Sequence, residues 1–185
     1  MPHDSRFFIQ RPLLAYAGGI DERLDLKLFE RLAVETLDWS LMLVGPVSGI
    51  SPESLPRLGN IYWLGPRPYE YLPNYLRGVD ACILPFQRTP ELNSYMPGQV
   101  YEMLCAGRPV VASPLRELAE RNLAGVHVAS SGADFIRACH RAVAPMTEAA
   151  RREIIRQVVG RTWLRVSEEV RDVLEAVTRV PLGRG

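Results

Sequence analysis

No apolar run in this sequence approaches the roughly 20 residues that a membrane-spanning helix requires, so no segment is a candidate to cross a bilayer. Charge of one sign is lacking too: 22 Lys and Arg stand against 21 Asp and Glu, a net charge of +1. That balance leaves no electrostatic footprint for nucleic acid or for an anionic lipid surface. The N-terminus, Met1-Pro2-His3-Asp4-Ser5-Arg6-Phe7-Phe8-Ile9, lacks the shape of a secretory signal. Cysteine is scarce and odd in number: Cys82, Cys105 and Cys139 sit among apolar neighbours. They read as buried, reduced thiols of a cytoplasmic protein and not as a disulfide framework. The histidines His3, His127 and His140 are scattered, and no Cys/His pair has zinc-site spacing, so no metal site is expected. There is no Walker lysine loop, no Gly-x-Gly-x-x-Gly and no nucleophile triad, so the sequence names no catalytic residue.

What is present is ordinary globular composition in 185 residues, with 47% hydrophobic and 23% charged residues. That length suits one domain with a real core. The chain is organised around residues 96–113. Pro97 suits the first position of a helix, where its missing N–H is harmless. Val100, Met103 and Leu104 give that helix one apolar face, while Gln99 and Glu102 share another near its start. Gly107 can end it in the left-handed conformation. Pro109-Val110-Val111 then reads as a short buried strand. Free amides and the positive end of the helix dipole favour an anion, and Glu102 would accept hydroxyl protons beside it. A phosphate next to a diol is a nucleotide or a nucleotide sugar. Read by itself, a helix–Gly–strand unit occurs in many α/β proteins that bind nothing there.

The remainder alternates strands with helices. Strands are expected at Leu13–Ala17, Ser40–Val44, Asn60–Leu64, Asp80–Pro85, Pro109–Val111 and Val126–Ala129. Helices are expected after Asp25, at Tyr69–Arg77, Leu115–Asn122 and Ala133–Ala144. Residues 47–58 and 86–95 read as loops. Apolar Ile154, Val158, Trp163, Val166, Val170, Leu174 and Val177 make 147–178 helical by pattern, with a break near Gly160. The predicted fold class is α/β: a single, doubly wound, Rossmann-like parallel sheet with a C-terminal helical extension. Residues 1–12 read as a tail or cut end, 13–178 as the domain and 179–185 as a tail. Ligands of such sheets bind beyond the carboxyl ends of the strands, where the turns here are Gly18-Gly19, Gly45-Pro46, Gly65-Pro66-Arg67-Pro68 and Pro85 onward.

The segment Tyr101-Glu102-Met103-Leu104-Cys105-Ala106-Gly107-Arg108-Pro109-Val110-Val111 resembles the donor-binding segment of retaining GT-B glycosyltransferases. Other segments resemble that family in the same order: Ala17-Gly18-Gly19-Ile20-Asp21-Glu22-Arg23, Leu43-Val44-Gly45-Pro46, Leu64-Gly65-Pro66-Arg67-Pro68-Tyr69, Val79–Pro85 and Thr162-Trp163-Leu164-Arg165. The resemblance covers roughly residues 12–178 and implies the C-terminal, donor-binding half of a GT-B fold. It implies that Glu102 binds ribose hydroxyls and that Pro66 and Arg67 flank the base. It likewise implies that Gly18, Gly19, Gly98 and Gln99 face the diphosphate and that Gly45 belongs to the second turn; Arg23 is the local candidate to neutralise phosphate charge, its alternative role being a solvated loop arginine.

The implied substrate is a nucleotide-diphosphate hexose, with no tightly bound cofactor. The implied partner is an acceptor-binding N-terminal domain or a separate chain, through which membrane-surface association is open, as is homo-oligomerisation. Three positions depart from the family pattern. Ser94 stands where a second glutamate is frequent, Gly19 where an arginine is frequent, and Gln99 is neutral where a basic residue is common. These departures keep a non-catalytic nucleotide-binding or scaffold module open as an alternative, with an epimerase-type relative of the fold as a third.

Overall fold

The computed structural model of the chain describes residues 9–159 together with Arg171. Strands β1 (Leu13–Ala17), β2 (Ser40–Val44), β3 (Ile61–Gly65), β4 (Ala81–Leu84), β5 (Val110–Ala112) and β6 (Val126–Val128) form one sheet in the order β3-β2-β1-β4-β5-β6. Every pairing is parallel. The strand order reverses at β1, so the crossovers wind outward in both directions and cover both faces. Burial on two faces explains why β1 and β4, and β2 after Ser40, are continuous apolar runs with every residue buried.

Helix α1 (Leu26–Glu35) starts as expected: the Asp25 carboxylate accepts from the Leu28 amide at 2.9 Å. Its buried Phe29, Leu32 and Ala33 face the sheet. Asn60 fixes the far end, donating from Nδ2 to the Ala33 and Thr36 carbonyls at 3.0 Å each. The expected helix at Tyr69–Arg77 begins as a 3-10 turn, Tyr69–Tyr71, and continues as α2 (Leu72–Arg77). Pro73 in the first helical turn fits this tight start.

The expected loop 86–95 contains a helical turn, α3 (Pro90–Asn93), capped by Thr89 Oγ1. Next come α4 (Gln99–Cys105), α5 (Arg116–Arg121) and α6 (Gly132–Ala142). Of the C-terminal extension, α7 (Glu148–Arg156) is described and packs on α4. The expectations for Trp163, Val166, Val170, Leu174, Val177 and the final tail lie outside the described residues.

The expected N-terminal tail needs correction where it meets the domain. Arg11 Nη1 donates to Asp80 Oδ1 at 2.6 Å and Arg11 Nη2 to the Gly78 carbonyl at 2.9 Å. Asp80 Oδ2 accepts from the Leu13 amide at 2.7 Å, and the Pro12 carbonyl accepts from Ser40. Residues 11 and 12 are therefore clasped to the sheet before β1 begins. A second correction concerns the cysteines. Cys82 and Cys139 are buried, but Cys105 is exposed. It follows Glu102 by three positions and shares that polar side of α4, while Val100, Met103 and Leu104 fill the core.

Candidate functional site

The reversal of strand order opens a crevice past the carboxyl ends of β1 and β4. The first turn lies there, and the second turn is pressed against it. Gly18 donates to the Val44 carbonyl at 2.9 Å, Ile20 to Pro46 at 2.8 Å, and Gly45 to Gly65 at 3.0 Å. The backbones come so close that a Cβ on Gly45 would stand 1.8 Å from the Gly18 carbonyl oxygen. Gly45 has φ +152°, a conformation left to glycine. Its role is to let the first turn settle on the second.

Above Gly18 lies the start of α4. A Cβ on Gly18 would meet Gln99 Nε2 at 2.5 Å, so the Gln99 amide rests on the first turn. Pro97 precedes the helix rather than opening it, and Gly98 is the N-cap. Gly98 faces open space where a side chain would project. Among the described residues the amides of Gly19, Gly98 and Gln99 make no backbone hydrogen bond. At the other end Gly107 takes φ +68°, as its helix-ending role requires, and Arg108 donates back to the Met103 carbonyl at 3.2 Å.

Arg23 reaches the same turn but is already engaged. Its Nη2 lies 2.6 Å from Asp21 Oδ2 and its Nε 2.9 Å from Asp21 Oδ1. Its guanidinium stacks 5.4 Å from the centre of the Tyr95 ring. The hydrogen bonds from Arg23 hold the Asp21 carboxyl below its ordinary range, and the same pair raises Arg23. Tyr16, buried beneath, donates to the Gly19 carbonyl at 2.7 Å. Burial, foremost, raises its phenol, so it stays a donor.

Glu102 is half-buried, one helical turn beyond Gln99. Its Oε1 accepts from the Tyr69 hydroxyl at 2.9 Å. That bond brings the loop of Pro66 and Arg67 to α4. Arg67 itself is exposed and turns Nη1 back to the Pro66 carbonyl at 3.0 Å. The structure thus gathers Gly18, Gly19, Arg23, Gly45, Gly98 and Gln99 around one crevice and joins Glu102 to the third turn through Tyr69. Sequence reasoning assigned no role to Tyr69, Asp21, Tyr95 or Tyr16.

A cleft of about 690 Å³ opens beside the first turn, lined in part by Asp21, Glu22, Lys27, Arg31 and Gln87. A more apolar cleft of about 440 Å³ is lined in part by Pro109 and Gly125, at the entries to β5 and β6, and by His127 of β6, away from these groups. Among the described residues no cluster of His, Cys, Asp and Glu could hold a metal ion. No helix among them is long and apolar enough to cross a membrane.

A sequence model of the family described as glycosyl transferases group 1 matches residues 11–145. The chain belongs to the group 1 glycosyl transferase family. Within this family it is 30% identical over 152 residues to TuaH of Bacillus subtilis (strain 168), provisionally named a teichuronic acid biosynthesis glycosyltransferase. The match covers 79% of this chain and 38% of TuaH, so the chain spans well under half of that relative. Two solved structures show the shared fold. AviGT4, a glycosyltransferase involved in avilamycin A biosynthesis, superposes with TM-score 0.60 at 21% identity, over 81% of this chain and 47% of AviGT4. A UDP-forming α,α-trehalose-phosphate synthase from Burkholderia vietnamiensis gives TM-score 0.66 at 16% identity, over 91% of this chain and 45% of the synthase. The expected Rossmann-like GT-B half is the observed architecture.

Proposed function

We propose that this glycosyltransferase chain is the donor-binding half of a retaining GT-B enzyme, taking a hexose from a nucleotide-diphosphate sugar. The observation that carries the reading is the start of α4 lying on the first turn, with Glu102 one helical turn along the same helix and bonded to Tyr69 of the third turn. An anion fits the Gly19, Gly98 and Gln99 amides, and a diol fits Glu102. Pro66 and Arg67 would flank the base. As the bond to the sugar breaks, negative charge grows on the diphosphate. The fixed amides and the Gln99 side chain are the donors this chain offers to it. Arg23 contributes a cation already half-balanced by Asp21.

The acceptor hydroxyl would come from a second domain or a separate chain that closes the crevice and excludes water. The name of TuaH makes teichuronic acid precursors the first acceptors to try. Titration calorimetry with UDP, GDP and ADP tests the donor half. Saturable binding of one nucleotide, weakened by Glu102→Ala in a folded protein, supports the assignment. Unchanged binding in that variant removes Glu102 from the site. A non-catalytic nucleotide-binding or scaffold module is the second reading, favoured by the Arg23–Asp21 pair and the neutral Gln99. Transfer observed once an acceptor half is supplied would exclude it.

A further inference from the structure

We infer that Tyr69 is a positioning residue of the donor site, holding the Glu102 carboxylate ready for the ribose diol. The inference rests on the donor-binding reading above and adds a residue to it. The 3-10 turn that carries Tyr69 is stiff at its entry. Gly65 is tied to the second turn through its carbonyl, Pro66 and Pro68 fix the backbone, and Tyr71 donates to the Pro68 carbonyl at 3.0 Å. Helix α4 is equally fixed, because Val100, Met103 and Leu104 are fully buried. The hydrogen bond from Tyr69 Oη–H to Glu102 Oε1 therefore links two rigid elements.

A glutamate side chain has several rotatable bonds and loses much freedom when it is fixed. Tyr69 removes part of that freedom before any ligand arrives. A carboxylate offers about four lone-pair sites. Tyr69 takes one of them, which leaves Oε2 and the second site of Oε1 for two hydroxyls. Tyr69 is 70% exposed, so little of the tyrosine's worth lies in core packing. An exposed tyrosine bonded to a half-buried carboxylate at the ligand-binding edge is poorly explained as a stability device. The bond also leaves a mark on Tyr69, whose phenol is raised above its ordinary value first by Glu102 and then by burial.

The test is Tyr69→Phe, which keeps the ring and deletes the donor. Calorimetry on the full chain uses UDP, GDP and ADP beside their 2′,3′-dideoxy counterparts. For the nucleotide that binds, Tyr69→Phe is expected to weaken affinity about tenfold, the scale of one hydrogen bond to a charged group. The dideoxy form, which offers Glu102 no hydroxyl, should bind both proteins alike. In a Glu102→Ala background the Tyr69→Phe change should add nothing. Equal losses for the ribose and dideoxy forms, or no loss for either, overturn the positioning role while leaving the donor reading in place. Failure of the unaltered chain to bind any of the three nucleotides overturns both together.

Discussion

Gly45→Ala probes the close approach of the first and second turns. The added Cβ would sit 1.8 Å from the Gly18 carbonyl oxygen and 2.7 Å from its carbonyl carbon. Neither atom belongs to a flexible side chain, so one of the two turns must move. The backbone conformation adds a second penalty, because φ at Gly45 is +152°. Holding alanine there costs about 1–3 kcal/mol. Displacing a packed backbone costs about 1–3 kcal/mol more. A loss of about 4 kcal/mol corresponds to a Tm drop of roughly 8–16 °C for a domain of this size. Thermal unfolding followed by circular dichroism measures it. Gly98→Ala is the matched control, since its Cβ would enter open space at φ −58°. It should leave stability unchanged or raise it by about 0.4–1 kcal/mol. A Gly45→Ala protein melting within about 2 °C of the parent would refute the argument from close approach.

Other outcomes follow from the same geometry. Asp21→Asn should destabilise the protein at neutral pH. The Asp21 pKa is depressed in the folded state by Arg23, so its contribution is full above the unfolded carboxyl range and lost as pH falls through the folded value. Denaturation curves of the two proteins should therefore converge in acid, and a gap that widens there would contradict the pairing. The same substitution frees the Arg23 cation and should tighten nucleoside diphosphate binding, which calorimetry with UDP, GDP or ADP would detect. Iodoacetamide should label Cys105 in the native protein, whereas Cys82, whose thiol burial pushes up to about 12, and Cys139, also raised by burial, should react only after unfolding. Mass spectrometry of the labelled peptides decides it. Phe29→Ala removes a buried ring that packs between α1 and the sheet, beside Trp63, and should cost about 3–5 kcal/mol in urea unfolding.

The sheet was readable from the sequence because strands buried on both faces need no alternation to be recognised. Leu13–Ala17 and Leu41–Val44 are unbroken apolar runs that stop at glycine, and the structure keeps the expected strands Leu13–Ala17 and Ser40–Val44 unchanged. The face of α4 was readable because Val100, Met103 and Leu104 recur with the helical period. The turn at Pro90–Asn93 was also signalled, by Thr89 before Pro90, but its brevity hid it within a loop. Cys105 misled because its chain neighbours are apolar, whereas its helical neighbour across one turn is Glu102. The engagement of Arg23 had a local cue, an aspartate two residues earlier. The bond between Tyr69 and Glu102 had none: the residues are 33 apart, and only the placement of the third turn over α4 joins them.

The clasp of Arg11 and Leu13 on Asp80 sets a tether length. It anchors the chain at the entry to β1, one strand length from the crevice at its exit. With five residues in β1, that separation is about 17 Å. A domain fused ahead of the clasp would leave from the amino ends of the strands, the wrong end to close the crevice directly. Its linker would need at least about five extended residues to climb back alongside the domain. A fusion with a shorter linker should bind nucleotide normally and still fail to place an acceptor over it.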